Sequence, residues 1–197
     1  MRFKRVLARA AGIEQAVVES LRFDAAGDAF VVSVRLHQRA ASRCGVCRRP
    51  CPGYDQGRRK RRRWRTLDLG KVRCFVEADV VRVRCPRHVV VTQWVPWARH
   101  NAGHTRDFDQ KVAWLTTRMS KTAVAHKLRV SWGTVGQIIT RVMADADAAA
   151  GDRWANLRRI GVDEISYKRG YKYLTVVVDH DTRRLLWIAE GPVGRSV

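Results

Sequence analysis

Two pairs of potential metal ligands constrain the fold of this chain more than any other feature of its sequence. Cys44 and Cys47 form a C-x-x-C pair, and Cys85 and His88 form a C-x-x-H pair. A gap of two residues lets both side chains of a tight turn reach one ion, and four such ligands complete a tetrahedral structural zinc site. Structural zinc contributes roughly 10–16 kcal/mol to the folding of small fingers. The spacing therefore predicts a zinc-binding module that closes the ends of an intervening sheet.

Two of the five cysteines lie outside these pairs. Cys51 either replaces Cys47 as a ligand or is a buried thiol, and Cys74 fits a small core residue in a strand. The alternative for the two ligand pairs is that they bind no metal and consist of ordinary buried cysteines and a surface histidine. The sequence shows no export signal and no apolar run of membrane-spanning length. We therefore expect a cytoplasmic protein without membrane association, in which cysteines bind metal or stay reduced.

The chain carries a large excess of positive charge. Its formal net charge is +21, from 39 basic and 18 acidic residues, and residues 1–100 alone hold 23 basic and 8 acidic groups. Such an excess repels itself unless a polyanion neutralises it. Nucleic acid is the first candidate, and an anionic membrane surface is the rival. A hydrophobic content of 46% excludes a disordered tail.

The densest basic segment holds seven cations in eight residues. A phosphate backbone fits this run, and binding would then weaken steeply with salt. A solvated loop is the alternative, although like charges in it would repel one another. Trp64, within the run, either stacks on a base or packs under the sheet, and packing is favoured. The predicted DNA contacts here are Arg58, Arg59, Lys60, Arg61, Arg62, Arg63 and Arg65.

Helical periodicity follows in residues 109–119, 121–128 and 132–144. The third segment has Ser131 as a predicted N-cap and one apolar stripe at helical spacing. A short helix, a short turn and a helix that opens with polar and small residues form the DNA-reading arrangement. A plain three-helix bundle is the alternative. The predicted contacts with bases or phosphates are Lys121, Thr122, Arg129, Ser131, Trp132, Thr134, Gln137 and Arg141.

Strand patterns surround the helices on both sides. Residues 15–37 read as a hairpin, residues 72–85 as one or two strands, and residues 159–190 as further strands. Asp163 interrupts an apolar strand, and a buried carboxylate is costly unless it is paired or metal-bound. Phosphoryl transfer with two metal ions needs carboxylates from neighbouring strands. On its own, Asp163 therefore fits a metal ligand and an ordinary acid on an edge strand equally well. Asp179 and Asp181 lie in a turn and are predicted to be structural. The apolar faces at 159–190 would need a cover, from the helices or a second copy.

The order of these segments resembles the ISL-three class of bacterial insertion-sequence transposases. The matching segments run from about residue 15 to 190 and are CGVC, YDQGRRKRRRWRTLDLG, VRCPRH, VPWARHNAGHTRDFDQKVAWL, SKTAVAHKLRVSWGTVGQIITRV and RRIGVDEISYKRGYKYLTVVVDHDTRRLLW. The resemblance implies an N-terminal zinc-binding domain with Cys44, Cys47, Cys85 and His88 as ligands, followed by a helix-turn-helix. It also implies a DDE catalytic domain of RNase H-like fold that uses magnesium, with Asp163 as its first acid.

Together these features predict an α+β multi-domain chain. We expect a hairpin and zinc-binding domain over 1–105, a helix-turn-helix over 106–150 and the first strands of an RNase H-like α/β domain over 151–197. The similarity fades after residue 191, and residues 192–197 do not read like the helix expected there. The resemblance therefore predicts a catalytically incomplete chain, and enzymatic activity is left open. The expected partner is double-stranded DNA at element ends, with a homo-oligomer or an intact transposase as further partners.

Two other classes of protein fit part of the pattern. A zinc-containing DNA-binding transcriptional regulator would share the metal module and the helices, but it has no need of the strand that carries Asp163. A basic zinc protein of RNA or ribosomes would share the charge. Preference for a promoter or for structured RNA over duplex element ends would identify either of them.

Overall fold

A computed structural model of the chain describes residues 12–54, 60–170 and 172–191, together with Val6, Ala8 and Arg9. The chain divides into two compact units, with the boundary after Val142. The first unit contains a four-stranded sheet, a small hairpin and most of three helices. The second contains the end of the third helix and a three-stranded sheet. The three helices and several sheets confirm the predicted α+β composition.

The four-stranded sheet has the order β1-β2-β4-β3. Strands β2 and β4 are parallel, and the other neighbouring pairs are antiparallel. The predicted hairpin at residues 15–37 is confirmed as β1 and β2, which are joined by a turn in which Gly27 has a φ of 73°. The strands are β1 (Ala16–Phe23), β2 (Ala29–Leu36), β3 (Lys60–Leu69) and β4 (Val72–Val80).

One face of this sheet carries the apolar core of the unit. Alternation along β2 and β4 places Val32, Val34 and Val76 on this face. Trp64 of β3 is buried there, and its ring meets the Trp97 ring edge-on with 5.4 Å between centroids. The prediction that Trp64 packs under the sheet is therefore confirmed. Cys74 is buried as well, in agreement with its predicted place in a strand.

A two-stranded hairpin of β5 (Arg82–Cys85) and β6 (Val89–Thr92) follows the sheet. Its inward positions, Val83 and Cys85, form a small buried cluster with Cys44 and Cys51. The prediction of one or two strands over residues 72–85 is thus confirmed as β4 and β5. The hairpin is short, and its core consists largely of cysteines.

The three helices are α1 (Arg106–Thr116), α2 (Lys121–Leu128) and α3 (Trp132–Ala149). The α1 helix begins three residues before the predicted start because the Thr105 side chain caps it by accepting from the Phe108 amide at 3.3 Å. The α3 helix continues past residue 144, since the segment up to Ala149 holds no helix breaker. On α2, Ala125 is buried and Ala123 is exposed. The buried side chains that hold the helices together are Phe108, Val112, Leu115, Val124, Ala125, Val135 and Ile138.

In the second unit, three antiparallel strands have the order β7-β8-β9. They are β7 (Ile160–Lys168), β8 (Lys172–Asp179) and β9 (Arg184–Glu190), and they confirm the predicted strands. Within this unit many apolar side chains are about half exposed, including Val162, Ile165 and Trp187. Three antiparallel strands do not by themselves specify an RNase H-like fold, which therefore stays a proposal. No helix in the described part of the chain is long and apolar enough to cross a membrane.

Candidate metal centre and nucleic-acid interface

The structure brings the four predicted metal ligands together. Cys44 Sγ lies 3.5 Å from His88 Nδ1, Cys85 Sγ lies 3.6 Å from the same nitrogen, and Cys47 Sγ lies 3.7 Å from Cys85 Sγ. All four ligand atoms are within 4.8 Å of one another. Among the described residues this is the only group of three or more potential ligands that could hold a metal ion.

These separations fit one tetrahedral ion. With metal–sulfur bonds of about 2.3 Å and metal–nitrogen bonds of about 2.0–2.1 Å, tetrahedral angles place sulfurs about 3.8 Å apart and sulfur and nitrogen about 3.6 Å apart. The observed separations of 3.5–3.7 Å agree with both values. Three thiols and one imidazole are also a donor set that structural metal sites use.

Backbone hydrogen bonds shape the turn that holds the first two ligands. The Cys44 amide donates to the Arg49 carbonyl and the Arg48 amide donates to the Cys44 carbonyl, both at 2.9 Å. Gly45 is required inside this turn because a Cβ at its position would collide with the His100 ring and the Thr92 carbonyl. The first ligand pair is thus set by a tight turn packed against the hairpin and the segment that follows it.

Cys51 lies outside the ligand group. Its thiol is buried and donates to the Arg49 carbonyl at 3.3 Å, so the structure favours the buried-thiol alternative over replacement of Cys47. Burial raises the pKa of the Cys44 thiol. Burial acts in the same sense on Cys85, but hydrogen bonds from the Arg87 amide and from His88 outweigh it and lower that pKa to about 6. A thiol that ionises at neutral pH is suited to metal ligation.

The basic run forms part of β3, and two of its arginines face an acidic pair on β4. Arg63 Nε donates to Glu77 at 2.6 Å, and Arg61 donates to Glu77 at 3.1 Å and to Asp79 at 2.6 and 2.9 Å. Glu77, only 2% exposed, also accepts from Arg22 at 2.8 Å. Burial alone would raise the pKa of Glu77, but the guanidinium groups of Arg63, Arg61 and Arg22 lower it to about 2. These arginines therefore balance internal acids.

Arg65 requires a correction. It was expected to contact DNA, but it is 6% exposed and donates to Asp68 at 2.5 Å. Its guanidinium also lies over the Phe108 ring, 5.4 Å from the centroid, between the sheet and α1. Arg62 lies 5.4 Å from the Trp64 ring centroid, and Lys60 is exposed. Arg58 and Arg59 lie outside the described residues.

The opening of α3 is an exposed polar surface. The Ser131 hydroxyl accepts from the Thr134 amide at 3.0 Å, so the predicted N-cap is confirmed. Val135 and Ile138 are fully buried, which leaves Trp132 59% exposed and Gln137 exposed on the outer side. The Lys121 ammonium lies 3.0 Å from the centroid of the Trp132 ring. Thr122 is exposed on α2, across a shallow groove from Trp132. This end of the helix pair therefore presents an amide, hydroxyls and a cation to the solvent.

Arg129 and Arg141, two of the predicted contacts, have acidic partners. Arg129, in the turn before α3, pairs with Asp68 and donates to the Lys71 carbonyl at 3.0 Å. Arg141 points toward the helix core and lies 3.5 Å from the fully buried Asp109. The expectation that Arg141 faces DNA is therefore at odds with its position, because the helix turns its guanidinium inward.

Glu77 and Asp109 are the two most buried acids of this unit, and the sequence motifs do not include them. Each is a carboxylate within an apolar or basic segment, which is the signal that could have identified them. Asp109 also accepts from Arg99 at 2.9 Å. Both acids fix positions of arginines that the charge pattern alone assigns to a ligand.

Asp163 lies near the middle of β7, opposite Val176 of β8. It is exposed, and its Oδ1 accepts from the Glu164 amide at 2.8 Å. Asp179 and Asp181 have the structural contacts that were predicted for them. Asp179 accepts from the Asp181 amide at 3.0 Å and from the Thr182 hydroxyl at 2.6 Å. Among the described residues, no second carboxylate joins Asp163 in a metal-binding group.

Two family profiles match the chain. Residues 95–143 match the helix-turn-helix domain of transposase family ISL3. Residues 160–195 match the DDE profile of the same family, which is described as a transposase. The first match covers α1, α2 and most of α3, and the second begins at β7. The regulator alternative is not favoured by this pair of matches.

Curated relatives agree with the profiles. The chain is 50% identical over 196 residues to the transposase for insertion sequence element IS1557 from two strains of Mycobacterium tuberculosis, CDC 1551 and H37Rv. Those alignments cover 97% of this chain and 44% of each relative. A transposase for insertion sequence element IS1001 from Bordetella parapertussis is 33% identical over 69 residues, or 35% of this chain and 16% of that protein.

No solved structure matches the chain. The chain spans less than half the length of the two mycobacterial relatives, yet it aligns with them over nearly all of its own length. The ordered matches to a helix-turn-helix and to a transposase domain agree with the resemblance identified from the sequence motifs. The chain therefore resembles the N-terminal part of ISL3-type transposases.

Proposed function

We propose that this chain binds double-stranded DNA through its helix-turn-helix, as the DNA-recognition part of an ISL3-type transposase. The observation that carries the proposal is the opening of α3, where buried Val135 and Ile138 fix the helix and Gln137 faces the solvent. Side-chain amides at the start of a recognition helix read base edges in the major groove. Lys121 and Thr122, at the start of α2, are placed to hold flanking phosphates.

The metal we propose is zinc, in a structural role. The three thiols and the imidazole form a closed set of four ligands, which leaves no position for a substrate. Zinc would cross-link the turn at Cys44 and Cys47 to the β5–β6 hairpin. This hairpin has few large apolar side chains of its own.

We also propose that Asp163 is the first of the acids that bind magnesium in the catalytic domain of the family. Its position near the middle of β7, inside the matched segment 160–195, supports this role. A single carboxylate does not hold two divalent ions. The described residues of this chain therefore supply one of the ligands that such a pair of ions needs.

Fluorescence anisotropy with three labelled probes at two salt concentrations tests the DNA proposal. The probes are a duplex from the ends of the element that encodes the chain, an unrelated duplex of equal length and a structured RNA. We expect the element-end duplex to bind most tightly. Equal affinity for the two duplexes, or preference for the RNA, would contradict the proposal.

A pair of matched variants assigns the recognition to α3. Gln137→Ala removes the exposed amide on α3, and Gln110→Ala removes an exposed amide on α1. Loss of a base contact costs about 1–3 kcal/mol of discrimination, so Gln137→Ala is expected to narrow the affinity gap between the duplexes. Gln110→Ala is expected to leave that gap unchanged. An unchanged gap in both variants would exclude Gln137 as a base contact.

A further inference from the structure

The metal module, which comprises the turn at residues 44–51 and the β5–β6 hairpin, carries a group of exposed arginines. Five of them lie on the turns and the strand that carry the ligands, and all five are exposed. Together with Tyr54 they are termed the arginine rim, which comprises Arg48, Arg49, Tyr54, Arg82, Arg84 and Arg87.

The metal ligands themselves determine which way the rim faces. Along β5, Val83 and Cys85 point into the buried cluster, so Arg82 and Arg84 alternate to the outside. Arg87 lies within the Cys85–His88 turn, and Arg48 and Arg49 directly follow Cys47. A fold that closes around the ion therefore presents these five cations outward.

Tyr54 contributes a ring that packs against two of these arginines. Its amide donates to the Arg82 carbonyl at 2.9 Å, which attaches its segment to the edge of β5. The guanidinium carbons of Arg82 and Arg84 lie 5.2 and 5.3 Å from the centroid of its ring. Packing on one ring restricts both arginines, so less side-chain entropy is lost when they bind an anion.

The charge of the rim contrasts with that of the four-stranded sheet. On the sheet, Glu77 and Asp79 balance the arginines of β3. Around the metal module, by contrast, the sequence contains no Asp or Glu from residue 29 to 54 or from residue 80 to 106, and one acid, Asp55, follows Tyr54. A divalent ion with three thiolates has a net charge of about −1, so the ion and Asp55 together offset two of the five arginine charges. The rim therefore retains an excess of positive charge.

We infer that the arginine rim is a second DNA-contacting surface, which binds the phosphate backbone independently of base sequence. The inference rests on the proposed function, since it adds a phosphate contact to the duplex that α3 recognises. A polyphosphate backbone fits the rim because it supplies closely spaced anions to a set of exposed arginines that outnumbers the acids of the adjoining sequence. The cations of β3 are less suited to this role, because Arg61 and Arg63 are held by Glu77.

The test compares two double variants that remove the same charge. Arg48→Gln with Arg84→Gln removes two rim cations. Arg35→Gln with Arg159→Gln removes two cations from exposed ion pairs with Glu19 and Asp181. The slope of log affinity against log salt is measured by anisotropy on the element-end and the unrelated duplex, and bound metal is measured in each protein.

We expect the rim variant to keep its metal and to lose about two units of salt slope on both duplexes, one for each lost phosphate contact. The control is expected to keep the wild-type slope. A second double variant, Arg48→Gln with Arg84→Lys, retains the charge at position 84. It is expected to recover part of the salt slope that the rim variant loses. A wild-type slope in the rim variant, or an equal loss in the control, would overturn the inference.

The two proposals can fail separately. If the wild-type chain prefers neither duplex, the proposed function fails. If it prefers the element ends and the rim variant keeps the wild-type slope, only the rim inference fails. If Arg48→Gln with Arg84→Gln loses its metal, the two single variants are measured in its place. A wild-type salt slope in a single variant that retains its metal overturns the inference for that arginine.

Discussion

Asp68 of β3 binds Arg129, in the turn between α2 and α3, and so ties the helix-turn-helix to the four-stranded sheet. The same carboxylate accepts from Arg65 at 2.5 Å, and Arg129 also donates to the Lys71 carbonyl at 3.0 Å. Arg129 holds a left-handed backbone, with φ 55° and ψ 48°. The turn that places the recognition helix is therefore fixed by contacts from a distant strand.

The left-handed backbone of Arg129 leads to the first prediction. We expect Arg129→Gly to be more stable than Arg129→Ala, because both lose the ion pair but only glycine adopts this conformation freely. The expected difference is about 1 kcal/mol once the greater chain entropy of unfolded glycine is subtracted. Urea unfolding followed by tryptophan fluorescence measures it. Equal stability of the two variants would mean that the turn does not keep its left-handed residue in solution.

The second prediction concerns Glu77, which is shared by Arg22, Arg61 and Arg63. Glu77→Gln is expected to lower the free energy of unfolding by about 3 kcal/mol, because it leaves three guanidinium groups around a neutral amide. Glu19→Gln is the matched control, since Glu19 pairs with Arg35 on the surface. Exposed pairs contribute about 0–1 kcal/mol. A similar loss in both variants would contradict the central role of Glu77.

The lowered pKa of Glu77 predicts how stability changes with pH. The pKa is about 2 in the folded protein and about 4.3 in an unfolded chain. The stabilisation is therefore fully present above about pH 4.3 and is lost as the pH falls toward 2. Between pH 6 and pH 3 we expect the wild type to lose about 2 kcal/mol more than Glu77→Gln, measured by urea unfolding. Parallel pH profiles for the two proteins would exclude the shift.

The third prediction separates the metal ligands from the neighbouring thiol. Cys44→Ser is expected to abolish binding of one metal ion per chain, because a hydroxyl replaces a thiolate in a set of four ligands. Cys51→Ser is expected to retain the metal, since Cys51 lies outside the group. Elemental analysis of both purified variants gives the stoichiometry. Retention of metal by Cys44→Ser, or its loss from Cys51→Ser, would revise the ligand set.

Local sequence patterns predicted the features of this chain that depend on local chemistry. The C-x-x-C and C-x-x-H spacings identified the four residues that meet, because each pair lies in its own tight turn. The N-cap at Ser131 was predicted from its residue type at the start of the periodic segment. The buried positions of α3 were predicted from helical periodicity. The partial alternation in residues 15–37 indicated the hairpin, but it did not show that β2 is buried on both faces while β1 buries only Val18.

Long-range pairing was beyond the reach of local patterns. The basic run reads as a DNA-binding segment because its acids, Glu77 and Asp79, lie on the next strand at an antiparallel register. The sequence also predicts Arg65 as a DNA contact, although Asp68 and the ring of Phe108 enclose its side chain. The net charge therefore indicated the excess of positive charge, but it could not show which arginines are paired with acids of the chain itself.

The fourth prediction concerns Asp109, a fully buried acid in α1. Arg99 lies 2.9 Å from its Oδ2, and Arg141 lies 3.5 Å from its Oδ1. Asp109→Asn is expected to lower the free energy of unfolding by about 3–5 kcal/mol, because it puts a neutral amide in the fully buried position where the carboxylate faces Arg99 and Arg141. Asp107→Asn is the control in the same helix turn, with an expected loss of less than about 1 kcal/mol from the helix dipole.

A further variant, Arg141→Gln, decides whether Arg141 serves the core or contacts DNA. If Arg141 serves the core, Arg141→Gln lowers stability and leaves the salt slope of DNA binding at its wild-type value, measured below the unfolding transition. If it contacts a phosphate, the slope falls by about one unit and the stability changes little. The first result is expected, because a guanidinium that faces a fully buried carboxylate loses that partner if it turns toward DNA. The second result would mean that Asp109 is balanced by Arg99 alone.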